Sequence, residues 1–148
     1  MKRFLLMKIA CLLPLFLLAA CANAGGEPVR TQRAETRLTE ALAGKVAGEP
    51  RRCLPRYSRN DQQIIDRNTI LYRNGRDLVY RNDPAGGCGG LDPTRTLVVT
   101  TINGEYCRGD IIRVVDQTSG AFVGSCAFSD FIPYYTPDSR ADPARTSG

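Results

Sequence analysis

The sequence contains no histidine and no tryptophan, and its last lysine is Lys45. Without histidine, the side chain that most often moves protons near neutral pH is missing. Ser-His and Cys-His nucleophile pairs and histidine metal sites go with it. No GxSxG elbow and no Walker-type phosphate loop is present either. The glycine cluster GGCGG lacks the strand-turn-helix setting that nucleotide fingerprints need. Close cysteine pairs are also absent. The nearest two of Cys53, Cys88, Cys107 and Cys126 lie 19 positions apart, which argues against a zinc site.

Long apolar runs are scarce too. One exists, IACLLPLFLLAA, after Lys2, Arg3 and Lys8. It is shorter than the ~20 residues of a membrane span and is broken by Pro14. It reads as the core of an export signal, residues 1–20. Those three cations belong to that signal, leaving 17 of the 20 basic residues against 15 acidic ones. So small an excess gives no basic stripe and argues against nucleic-acid binding.

The end of the signal offers two cut sites. LAAC, ending at Cys21, looks like a bacterial lipobox, and ANA, ending at Ala24, suits ordinary signal peptidase. The lipobox sits directly at the end of the apolar run, so lipidation of Cys21 is the expectation. Ala22 is not the aspartate that marks inner-membrane retention in enteric lipoproteins, which points to the outer membrane. Cleavage after Ala24, with the protein free in the periplasm or secreted, is the alternative.

Cys11 leaves with the signal under either reading, and four cysteines remain in the exported domain. An even set in an oxidising compartment implies disulfides. Cys88 lies in a glycine-rich loop and Cys107 ends the hairpin expected after it, which favours Cys88–Cys107. Cys53 opens the domain and Cys126 lies in its last strand, which favours Cys53–Cys126 as a closure of first strand on last.

Residues 21–52 read as a tether containing a short helix, capped by Thr31 and ended by Gly44, with Leu38 and Leu42 on a thin apolar face. From Cys53 to residue 132, short apolar runs alternate with Gly, Asn and Asp turns, the pattern of an all-β domain. Asn74-Gly75 and Asn103-Gly104 read as hairpin tips. A third hairpin runs from Ile111–Val115 through Gln117–Gly120 to Ala121–Phe128, and QQIID adds another strand. The expected fold is mostly β: a small antiparallel β-barrel or barrel-like meander with disulfides. Arg81–Arg95 is too rich in Gly and Pro for a strand and reads as a stapled loop. Residues 133–148 read as a disordered tail.

Candidate binding residues come from Arg and Tyr alternation. In a two-residue Asn74-Gly75 turn, Arg73 faces Arg76 and Leu71 faces Leu78, with Tyr72 on the opposite face. Arg73, Arg76, Tyr72 and Tyr80 are therefore candidates for stacking on a carbohydrate or an acidic peptide, and Asp110 and Arg113 are candidates on the third hairpin. Solvated strand positions are the simpler reading of these residues. The RGD at Arg108–Asp110 is similarly simple: a glycine turn followed by a strand-starting aspartate. Asp66, Asp110, Asp116 and Asp130 are the only carboxylates nominated for hydrolysis, and Asp110 and Asp116 suit turn positions that bracket a strand.

The segments RCLP, IIDRNTILY, GGCGGL, CRGDIIRVVD and GSCAFSDFIPY together resemble a family of uncharacterised exported proteobacterial proteins, a domain of unknown function. The resemblance covers about 80 residues from Cys53 onward. It implies an envelope location and a small cysteine-containing domain, and no activity. The expectation is a non-enzymatic, periplasm-facing outer-membrane lipoprotein that needs no cofactor or metal. It would bind or scaffold an envelope protein or glycan, and meet the membrane through lipid on Cys21. An inhibitor of a secreted hydrolase, akin in size to lysozyme-inhibitor lipoproteins, is the first alternative. A hydrolase using Asp carboxylates is the second.

Overall fold

Alternation of side chains decides the architecture, because neighbouring isoleucines go to different cores. In the computed structural model, which describes residues 30–101 and 103–137, Ile64 and Ile65 join separate apolar clusters. The export segment, Cys21 and residues 138–148 lie outside the described residues.

The elements in chain order are helix α1 (Gln32–Leu42) and strands β1 (Val46–Ala47), β2 (Cys53–Leu54), β3 (Asp61–Asp66), β4 (Thr69–Asn74) and β5 (Leu78–Asn82). After them come strands β6 (Arg95–Val99), β7 (Tyr106–Cys107), β8 (Ile111–Asp116), β9 (Phe122–Ala127) and β10 (Phe131–Tyr135). They form antiparallel sheets of five (β1-β10-β5-β4-β3), three (β6-β8-β9) and two (β2-β7) strands. The fold is mostly β, as expected, but the strands divide among separate sheets and do not close into one barrel.

Ile70, Tyr72, Tyr80 and Phe131 of the five-stranded sheet share a core with Ile112 and Val114 of the three-stranded one. The other face of the larger sheet, through Ile65, Leu71 and Val79, packs on Ala34 and Leu38 of α1. The layers are therefore helix, large sheet, small sheet. Strand β4 is covered on both faces, which is why TILY reads as a continuous apolar run and not as an alternation.

The helix begins as its sequence predicts, with the Thr31 hydroxyl accepting the Ala34 N–H at 3.3 Å. It is not a loose tether, however. Its thin apolar face is buried by the sheet, and Arg37 donates to the Ile65 carbonyl at 2.6 Å. Strand β1 then pairs with β10, so the folded unit includes α1 and β1 as well as the segment from Cys53 onward. Strand β10 runs through Pro133 to Tyr135, inside the segment expected to be tail. Pro133 offers no N–H, and its carbonyl accepts the Gly48 N–H at 2.7 Å.

Of the three expected hairpins, β8–β9 stands as read. The β4–β5 hairpin exists with a different register. Asn74 pairs with Leu78, so the turn is Gly75 to Asp77, with Gly75 at φ 69°. Arg73 then faces Val79 and Tyr72 faces Tyr80, which corrects the Arg73–Arg76 and Leu71–Leu78 pairs. Asn103-Gly104 is not a hairpin tip, because β6 pairs with β8 while β7 pairs with β2.

The disulfides are Cys53–Cys107 and Cys88–Cys126, with Cα–Cα distances of 4.0 and 5.0 Å. This corrects both expected bonds, Cys53–Cys126 and Cys88–Cys107. Cys53 and Cys107 are direct cross-strand partners on β2 and β7. Cys88 meets Cys126 because its loop lies against β9, where a Cβ on Gly124 would collide with the Gly89 carbonyl. Early and late strands do meet, at β1–β10, but neither disulfide joins them.

Candidate functional site: a charged cleft at the glycine loop

The loop between β5 and β6 is built from successive turns. Gly87 N–H donates to the Pro84 carbonyl at 2.9 Å, Leu91 N–H to Cys88 at 3.2 Å, and Arg95 N–H to Asp92 at 3.1 Å. PAGG, CGGL and DPTR are thus three turns of four residues each. Gly86 and Gly90, third in the first two turns, have φ of 73°, a conformation that favours glycine. The third turn is held by Asp92, whose carboxylate accepts the Thr94 hydroxyl and N–H. The Thr94 hydroxyl, before the backbone N–H, holds the Asp92 carboxyl below its ordinary pKa.

Two anchors position this loop. The Cys88–Cys126 bond ties it to β9, and Cys88 N–H donates to the Arg67 carbonyl at 2.8 Å. Arg67 and Asn68 form the turn between β3 and β4. Gly87 lies so close to Asn68 that a Cβ there would stand 2.7 Å from the amide oxygen.

Between the loop, this turn and the start of α1 lies a cleft of about 870 Å³. That is within the ~300–1,000 Å³ range of ligand sites. Its charged lining residues are Arg30, Glu35, Arg67, Arg81 and Asp83. Arg30 donates to Asp66 and to the buried Thr69 hydroxyl, each at 2.6 Å, and lies 3.6 Å from Glu35. Thr69 donates onward to Asp83 at 2.7 Å, and Asp83 pairs with Arg81 at 2.9 Å. Burial works against the Arg81 charge, but the hydrogen bond and charge of Asp83 outweigh it and raise its pKa. This chain of contacts locks helix, turn and loop together. The Arg67 guanidinium stands outside it, exposed and without a hydrogen-bond or ion-pair partner among the described residues.

The residues nominated from sequence lie elsewhere. Tyr72 and Tyr80 are core residues, 0% and 2% exposed, and no ligand reaches them. Tyr72 packs edge-on against Tyr106, Phe128 and Phe131. Burial raises the pKa of both phenols, Tyr80 to about 12. Arg73 is bonded to Gln63 at 2.8 Å on the helix side of the sheet. Arg76 is exposed in the β4–β5 turn, where its carbonyl accepts from Lys45. Asp110 accepts the Cys107 N–H at 2.8 Å and so serves its own turn. Arg113 lies on the outer face of the small sheet, 5.6 Å from the Phe122 ring centre. No binding site gathers these six residues.

The carboxylates nominated for hydrolysis are each committed to structural partners. Asp66 holds Arg30, Asp116 holds Arg95 and the Ser119 N–H, and Asp130 holds Arg108. Cys53, Glu105 and Cys107 also lie close together, but the two sulfurs are bonded to each other and offer no thiolate.

Sequence reasoning missed Arg30, Arg67, Asn68 and Asp83. The available signal was the four-residue rhythm of Pro84 to Arg95, which marks an ordered loop. No family model, curated protein or solved structure matches the chain.

Proposed function

We propose that the chain is a non-enzymatic lipoprotein of the outer membrane, facing the periplasm. Its disulfide-stapled β domain binds or scaffolds an envelope component through the charged cleft. The observation that carries this reading is the cleft itself: a locked frame of ion pairs around one uncommitted guanidinium, Arg67. Such a frame binds an anionic group and has no activated acid, base or nucleophile to transform it. Two disulfides suit an oxidising compartment. The lipobox-like LAAC and the resemblance to exported proteobacterial proteins support the address.

Labelled palmitate tests that address. It enters the wild-type protein and not Cys21→Ala, and the labelled protein fractionates with the outer membrane. An unlabelled protein whose mature N-terminus is Gly25 overturns the lipoprotein reading. Pull-down from envelope extract tests the class: a secreted hydrolase as the main partner replaces scaffolding with inhibition.

A further inference from the structure

Docking of α1 shortens the tether. The sequence alone allots residues 21–52 to it, but Arg30 is already fixed in the cleft by Asp66 and Thr69. Only nine residue steps separate Arg30 from Cys21. That stretch reaches about 32 Å at most. That reach is no larger than the diameter of a domain of this size, about 34 Å for a radius of gyration of about 13 Å. If lipid holds Cys21, the end of the domain that carries Arg30 is the end nearest the membrane.

The cleft lies at that end. Arg67, in the β3–β4 turn, lies beside it. Arg76, in the β4–β5 turn, lies at the opposite end of β4. Six strand residues put the two turns about 20 Å apart, well beyond the screening length of about 8 Å. Arg67 therefore feels an anionic surface that Arg76 does not. A planar guanidinium suits phosphate oxygens, which it can take two at a time. One exposed Arg–phosphate contact is weak in free solution. A link of so few residues raises the effective concentration of headgroups at the cleft to about millimolar, where a weak contact is populated.

We infer that the cleft receives the phosphate of a phospholipid headgroup, with Arg67 as its cation, and that this contact seats the domain on the leaflet that carries Cys21. The inference rests on the lipoprotein reading and names the ligand of the same cleft.

The test uses the unlipidated mature chain, residues 22–148, without the apolar export segment, and vesicles of phosphatidylglycerol mixed with phosphatidylcholine. The expected result is salt-sensitive sedimentation with these vesicles and little with phosphatidylcholine alone. Arg67→Glu reverses the charge at the cleft and lowers partitioning by about thirtyfold, each of two charge units contributing about fivefold. Arg76→Glu makes the same change in net charge at the far end and alters partitioning less than twofold. Both variants keep the thermal midpoint, since each arginine is exposed in a turn.

Equal losses in the two variants overturn the inference, because net charge alone then explains binding. No sedimentation overturns it as well. Saturable binding of inorganic phosphate without vesicle binding assigns the cleft to a soluble anion and also overturns it. Absence of palmitate on Cys21 sinks the lipoprotein reading separately and leaves the vesicle comparison readable.

Discussion

At the scale of single residues, the tightest constraint is backbone against backbone. Gly124 in β9 lies under the Gly89 carbonyl, so an added methyl meets main-chain atoms that cannot rotate away. The loop cannot retreat either, because Cys88 is bonded to Cys126 two residues from Gly124. Gly124→Ala is expected to cost about 1–3 kcal/mol, the range for overpacking, and to lower the thermal midpoint by several degrees. Gly89→Ala is the contrast: nothing lies within 4 Å of its added Cβ and its φ is not positive, so it leaves the midpoint nearly unchanged. Equal melting of the two variants would remove the close approach from the structure. The sequence revealed some residue roles and hid others. Asp110 and Asp116 were legible as turn residues, since a carboxylate beside Gly, or three positions before Ser, finds nearby N–H groups. Tyr72 and Tyr80 were not legible as core residues, because a tyrosine followed by an arginine looks solvated until the register is known.

At the scale of elements, local pairings were readable and distant ones were not. The β8–β9 hairpin needs only its own residues, and its turn is closed by Asp116 accepting the Thr118 and Ser119 N–H groups. Strand β7 finds β2 from 54 positions away, and nothing in INGEYC announces that partner. The helix shows the same limit from the other side. Its cap was visible in Thr31, but its packing depended on Leu71 and Val79, whose side of the sheet is set by the β4–β5 register. Leu38 is 5% exposed between helix and sheet. Leu38→Ala is expected to destabilise the whole domain by about 2–5 kcal/mol, read as a lowered urea midpoint with the slope unchanged. A tether helix would give a different result, with global stability untouched and only local helicity lost.

At the scale of the whole molecule, one disulfide reinforces a pair of strands and the other ties a loop to a sheet. Cys53–Cys107 fastens the two-stranded β2–β7 ribbon, and Cys88–Cys126 fastens the glycine loop to the small sheet. Sequence separations of 54 and 38 correspond to about 4 kcal/mol each from lost chain entropy in the unfolded state. The total rivals the roughly 5–15 kcal/mol stability of an entire small domain, so full reduction is expected to unfold the protein. The bonds differ in access. Cys88 is 1% exposed in the main core, whereas Cys53 and Cys107 are both half-buried in a ribbon of two-residue strands. Mild reductant should therefore open Cys53–Cys107 first. The intermediate keeps the Cys88–Cys126 bond and the ladder of the five-stranded sheet, of which β2 is not a strand, while Leu54 of β2 stays packed in their shared core. Trapping free thiols during stepwise reduction, with peptide mapping of the trapped species, checks both the pairing and the order. Label appearing first on Cys88 and Cys126 would reverse the order argued from burial. A Cys53–Cys126 peptide from the fully oxidised protein would overturn the pairing of β2 with β7, and the two-stranded ribbon with it.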